Sequence, residues 1–293
     1  MFRLLYVTDL HGWTGGYERI AAIAQEEGIT TIVNGGDMFP HGRDLVSVQR
    51  RFIEQYLRPY LGRLGAAGIA RSGASAMSYY GMLGNDDCRA VLPDWLDLVR
   101  TSSRLHDLTE GWLPLADGLA ICGCNHIPDP PFRLKDWSVL DTRDYRRPPQ
   151  HPDPVISRGD KLELIGDVEA FLKDRPTLAE LLDGLATRAL DWEQAVVVCH
   201  APPRGTGLGN VSVEVDVGSA AVRAWIKRYQ PLLTLHGHIH ESPRITGIDT
   251  VKIGRTTVHQ PGQDRFLGRL TYSTVEIEDG TVRVDRRSTP CPD

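Results

Sequence analysis

One pattern constrains this chain more than any other: short apolar runs end, and a residue able to bind a metal follows at once. Val7-Thr8 leads into Asp9-Leu10-His11, and Ile32-Val33 leads through Asn34-Gly35-Gly36 into Asp37. Met82-Leu83 leads into Gly84-Asn85, and Val196-Val197-Val198-Cys199 leads into His200. Leu233-Thr234-Leu235 leads into His236-Gly237-His238-Ile239-His240. Read as buried strands, these runs deliver their polar residues just past a carboxyl end, the edge at which open α/β sheets build sites. The glycines at 35, 36, 84 and 237 fit turns that bring backbone and polar side chains close.

The segments between the runs alternate strand and helix patterns. Helical periodicity covers residues 17–27, 44–64, 87–99, 168–190 (interrupted at Pro176) and 217–229. Strand-like runs cover 3–8, 30–33, 77–83, 119–124, 195–199 and 232–235. This alternation predicts a mainly parallel sheet flanked by helices. Further short β runs follow at 250–253, 256–259, 270–277 and 281–285. Residues 125–165 are rich in proline and read as a loop insertion within one domain spanning 1–293. Long loops of this kind are functional lids or disordered segments.

Composition enters through what it excludes. Hydrophobic residues make up 41% and charged residues 24% of the 293, ordinary values for a soluble globular chain. The net charge of −5 disfavours a nucleic-acid partner, which calls for a basic surface. No apolar run reaches membrane-spanning length, so no membrane partner is expected. Five cysteines, an odd number, point to a reducing compartment. Cys122-Gly123-Cys124 reads as buried strand. Residues 2–8 read as strand rather than as a secretory signal, and the expected location is cytoplasmic.

The residue types at the strand ends then select a chemistry. Asp9, His11, Asp37, Asn85, His200, His238 and His240 offer oxygen and nitrogen but no thiolate. That suits Mn, Fe or Zn. Seven ligands exceed one ordinary centre and suit two divalent metal ions with one carboxylate bridging. Two metals roughly 3.5–4 Å apart clamp an in-line displacement at phosphorus and make hydroxide available near neutral pH. The net positive charge left over attracts a phosphate anion.

Asp9-x-His11, Gly36-Asp37, Gly84-Asn85, His200 and Gly237-His238-x-His240, in that order, resemble the calcineurin-like metallophosphoesterases. His200-Ala201-Pro202-Pro203-Arg204-Gly205-Thr206 is similar to a branch of small prokaryotic members. The resemblance implies a four-layer α/β/β/α sandwich of two mixed β-sheets with the metal site at the carboxyl ends of strands. It further implies that Asp9, His11 and His240 hold one metal, that Asn85, His200 and His238 hold the other, and that Asp37 bridges. The chemistry it implies is hydrolysis of a small phosphomonoester or phosphodiester by metal-bound hydroxide; the acidic charge balance counts against long polyanions but leaves a nucleotide open as substrate. Asp37, Asn85, Asp86 and His200 are the catalytic candidates.

One departure stands out. Many members carry a histidine after the Gly-Asn pair, and it assists the leaving group. Here Asp86 takes its place. Beside two cations a carboxyl group stays ionised and donates protons poorly. Aryl esters are therefore expected to react faster than alkyl esters. A non-catalytic scaffold on the same fold is the competing reading, and a nuclease is disfavoured by the acidic charge balance.

Other residues near the motifs have two readings each. Asn85, Arg204 and His41 are candidate substrate contacts, and Arg43 could join them from the same loop. Asp86 and Asp87 could instead cap a helix. His236 and His259 read as structural, and Asn34 either as a support behind the metal ligands or as a turn residue. His126, Trp13, Trp137 and Phe132 are candidate pocket walls.

Overall fold

The computed structural model describes residues 1–70, 76–116, 118–186 and 191–291. Its strands run in chain order as β1 (Phe2–Val7), β2 (Thr31–Asn34), β3 (Ser78–Gly81), β4 (Leu105–Asp107), β5 (Leu113–Ala116) and β6 (Leu119–Cys124). The proline-rich segment supplies β7 (Ile127–Pro128), β8 (Ser138–Val139), β9 (Val155–Arg158) and β10 (Lys161–Leu164). β11 (Ala195–Cys199), β12 (Leu233–Leu235), β13 (Thr250–Ile253), β14 (Thr256–His259), β15 (Arg269–Glu278) and β16 (Thr281–Pro290) complete the set.

Two six-stranded sheets carry the molecule, in the orders β16-β15-β1-β2-β3-β4 and β13-β14-β12-β11-β6-β5. β1 to β4 pair in parallel, and β15 closes on β1 antiparallel. In the second sheet β6, β11, β12 and β14 are parallel, with antiparallel β5 and β13 at the edges. Both sheets are therefore mixed.

Side chains alternate across a strand, so each sheet has two apolar faces to cover. In β1, Leu5 and Val7 pack with Tyr17, Ile20, Phe52, Tyr60 and Trp95. Those residues come from α1 (Thr14–Glu26), α2 (Leu45–Phe52), α3 (Arg58–Ala70) and α4 (Leu92–Val99). Leu4 and Tyr6 point the other way, against Ile121, Val196, Val198 and Leu235 of the second sheet. The far face of that sheet, with Val197 and Cys199, is covered by Leu178, Leu182, Trp225 and Ile226. After α5 (Val168–Lys173), these belong to α6 (Leu178–Leu185) and α7 (Ala220–Tyr229). The layers are helix, sheet, sheet, helix, as the resemblance implied.

The expected helix at 168–190 is thus two helices, broken at Arg175-Pro176, and its last residues, 187–190, lie outside the described residues. The expected helix at 44–64 extends to Ala70 through one wide turn at Ile53–Leu57. Pro59 has no N–H for the carbonyl four residues back, which accounts for the widening. The proline-rich segment is built rather than irregular. β7 and β8 pair in parallel and β9 and β10 form a hairpin. Among the described residues no helix is long and apolar enough to cross a membrane.

Candidate metal centre

The loops leaving β1, β2, β3, β11 and β12 converge between the two sheets. Asp9, His11, Asp37 and His238 all have positive φ, at 58°, 44°, 51° and 71°. L-residues adopt this left-handed region only when surrounding structure holds them there. The turn redirects each side chain from the strand axis toward a common point. Backbone pairing fixes these turns: Asp9 N–H donates to Gly36 O at 3.0 Å and His11 N–H to Asp37 O at 2.8 Å. Gly84 is required by space, because a Cβ there would sit 2.2 Å from the Asp37 backbone nitrogen.

Among the described residues, three groups of Asp and His side chains come close enough to hold a metal ion. The first is Asp9, His11, Asp37 and His240; the second is Asp37, His200 and His238. Asp37 belongs to both. Its carboxylate lies 3.9 Å from His11 Nε2 and 3.3 Å from His200 Nε2. His240 Nε2 is 3.3 Å from Asp9 Oδ1 and 3.2 Å from His11 Nε2. Asn85 Oδ1 joins the second group, 3.0 Å from His200 Nε2. His200 Nδ1–H donates to Gly35 O at 2.8 Å, which turns Nε2 into the site. All seven residues singled out at the strand ends are therefore together. His11, His41 and Asp86 form the third group, at the mouth, with His41 Nε2 3.4 Å from Asp86 Oδ2.

The electrostatics divide the histidines in two. Burial opposes charge on His200, but Asp37 and then Asp9 push it up to about 9. Burial opposes charge on His240 too, and Asp9 pushes it up to about 9. His11 falls to about 4 and His238 to about 3, burial being the main cause in each. Burial raises Asp9 and Asp37, but the neighbouring histidines outweigh it and hold both below the ordinary carboxylate value. The metal-free centre therefore contains two imidazolium–carboxylate pairs and two neutral imidazoles. Burial and then Asp37 push Asp86 up to about 7 in this form. Two cations would act in the opposite direction.

A family model for calcineurin-like phosphoesterases matches residues 2–242. The chain belongs to that family. Its fold is similar to that of TT1561 from Thermus thermophilus, at 14% identity and a TM-score of 0.57, covering 97% of this chain and 98% of that one. It is also similar to a dimetal phosphatase from Danio rerio, at 11% identity and a TM-score of 0.54, covering 100% and 99%. No curated protein matches.

Around the centre of this calcineurin-like phosphoesterase the remaining candidates separate. Asp87 does not cap a helix. Its carboxylate accepts from Gly84 N, Met38 N and Phe39 N at 2.8, 2.9 and 2.8 Å, and so ties the loop after β2 to the loop after β3. Gln49 reinforces that tie, donating to Asp86 O at 2.8 Å and accepting from Cys88 N at 2.7 Å. Asn34 is a turn residue, accepting from Gly36 N. His236 is buried, with Nδ1 2.8 Å from Cys199 O, and His259 lies between Thr250 and Ser273. Both are structural. Arg43 stays exposed. Cys122 and Cys124 are buried in β6, as read from the sequence.

Of the candidate aromatic walls, Trp13 and Trp137 are buried and His126 packs edge-on to Trp137. Phe132 alone faces the centre, its ring centroid 6.1 Å from that of His238. Arg204 lines the same cavity as Phe132 and His238.

Proposed function

We propose that this chain hydrolyses a small phosphomonoester or phosphodiester, with two divalent metal ions as cofactors. The observation that carries the reading is Asp37, shared by two donor groups. The donor chemistry fits. Asp9 and Asp37 are buried, and among the described residues no lysine or arginine meets either carboxylate. Their charged neighbours are imidazoles. Asp9, His11 and His240 would hold one ion, Asn85, His200 and His238 the other, and Asp37 both. Nitrogen and oxygen donors suit Mn, Fe or Zn.

Bound ions would supply Lewis-acid charge to the phosphoryl oxygens and acidify a water near neutral pH. The chain supplies the rest. The Asn85 amide, now donating to Asp86 Oδ1 at 2.9 Å, is placed to donate to a phosphoryl oxygen instead. Asp86 takes the leaving-group side, with His41 beside it, and Arg204 contacts the substrate from the cavity wall.

The test is hydrolysis of an aryl phosphomonoester and a bis-aryl phosphodiester with and without chelator. Chelation abolishes turnover, and His200→Ala and Asp37→Asn each lower it by about 100-fold or more, since changing even supporting partners of metal ligands costs about 10–100-fold. A folded protein inactive with every divalent metal would instead favour the scaffold reading. Exposed Phe132, Val211, Val213, Val215 and Val217 lend that reading some support. Three of the five, however, line a concavity, the shape that takes a small ligand.

A further inference from the structure

We propose that the cavity beside His238 is a subsite for the planar aromatic base of a nucleotide-like substrate, an inference that rests on the phosphoesterase reading. The cavity holds about 350 Å³ and is lined by Phe132, Tyr145, Arg146, Arg204, Asp216 and His238, with prolines between 128 and 148; the Asp216 carboxylate is turned to backbone N–H groups, including Gly218 N at 2.8 Å. His238 also belongs to the Asp37–His200–His238 group. A substrate with its phosphoryl group at the centre therefore has its organic part at the cavity mouth.

The lining selects the ligand class. Phe132 is 46% exposed although it sits on a concave wall, and exposed apolar surface in such a place marks a ligand site. Proline and aromatic rings are flat and stack on flat partners. Among the described residues neither Arg146 nor Arg204 has a hydrogen-bonded acid, although both line the cavity. Arg147, next in sequence, differs: it meets Asp129 at 2.7 Å, and Lys135 meets the same carboxylate at 2.8 Å. The segment thus pairs these internal charges and leaves the Arg146 guanidinium at the cavity, while Arg204, from the loop after β11, faces it with Asp141 as an electrostatic neighbour. Guanidinium planes stack on rings and bind phosphate oxygens in pairs. A nucleotide, with a flat neutral base to stack and an anionic phosphate group, meets both demands. The volume lies near the small end of ligand pockets, which run from about 300 to 1,000 Å³, and suits one nucleoside rather than an oligonucleotide.

The wall is held in place before any ligand arrives. Asp129 anchors Lys135 and Arg147, and Asp141 accepts from Ala220 N at 2.8 Å, fixing the proline-rich segment to α7.

Two measurements test the subsite. The first is calorimetric binding of adenosine 5′-(α,β-methylene)diphosphate against methylenediphosphonate, to the metal-loaded protein. The nucleoside tightens binding about tenfold or more, as one base stacked on aromatic side chains does, and the double variant Phe132→Ala, Arg146→Ala loses that margin. The second compares kcat/KM for thymidine 5′-(p-nitrophenyl) phosphate, methyl p-nitrophenyl phosphate and decyl p-nitrophenyl phosphate, which share a leaving group. The nucleoside-to-methyl ratio exceeds about tenfold and drops toward one in the double variant. Equal binding of the two diphosphonates, or a ratio near one with the methyl ester still hydrolysed, overturns the subsite and leaves the phosphoesterase reading standing. A preference for the decyl ester overturns it in favour of an acyl chain. Nucleoside-dependent binding without turnover of these diesters or of the aryl phosphomonoester supports the subsite and overturns the phosphoesterase reading instead.

Discussion

At the scale of single residues, the centre is assembled from side chains that each carry a conformational cost. Asp9, His11, Asp37 and His238 hold left-handed backbone, at about 1–3 kcal/mol each. The surrounding loops over-determine them, through Asp87 and Gln49 on one side and Gly84 and Gly237 on the other. Their protonation makes a direct prediction. At pH 7 His200 and His240, both held at about 9, carry protons, while His11 and His238, at about 4 and 3, do not. Metal ligation requires neutral imidazole. Loading therefore releases up to about two protons from these imidazoles, with a further fraction from Asp86, held at about 7, and affinity climbs with pH until about 9. Calorimetry in two buffers of different ionisation enthalpy reads the release; a value near zero at pH 7 would contradict this charge assignment. Asp86 makes another prediction. If it replaces the leaving-group histidine, aryl phosphoesters react faster than alkyl ones, and Asp86→His narrows the gap, because general acid catalysis contributes about 10²–10⁴-fold. Equal rates for the two ester classes in the wild-type chain, with chemistry limiting, would rule it out.

At the scale of elements, what the sequence displayed follows burial. β1, β2, β6, β11 and β12 are buried strands, so they read as continuous apolar runs, and all of them but β6 are followed by metal donors. β4 is Leu105-His106-Asp107, and β9 and β10 form a half-exposed hairpin with charged residues, so no run announces them. The seven donors were legible because each closely follows one of five strands, β1, β2, β3, β11 or β12. Tyr145, Arg146 and the tie made by Asp87 were not, because only the packing of distant segments brings them to the centre. Asp129, Lys135 and Arg147 illustrate the point: a buried ion group organises a stretch whose prolines suggested an irregular loop. Lys135 is fully buried, and it also donates to Gln150 Oε1 at 2.6 Å. Removing one partner of a buried pair typically costs about 3–5 kcal/mol. Lys135→Met therefore lowers the unfolding free energy, read from urea titration, by that order without touching the metal donors. A change below about 1 kcal/mol would mean that the ion group does not hold the segment.

At the scale of the whole molecule, two sheets packed face to face place five strand ends around one point. β15 and β16, from the end of the chain, join β1 and complete the first sheet, while β11 and β12 bring His200, His238 and His240 from the second. The centre is a product of that packing: each sheet alone carries an incomplete donor set, and Asp37 stands where the sets meet. The central claim is therefore a count and a position. Crystals of the metal-loaded protein, measured at the absorption edge of the bound metal, give anomalous difference density that reports both directly. Two peaks are expected, roughly 3.5–4 Å apart as in other two-metal sites, on either side of the Asp37 carboxylate. A single peak, or two peaks that do not share Asp37, would contradict it.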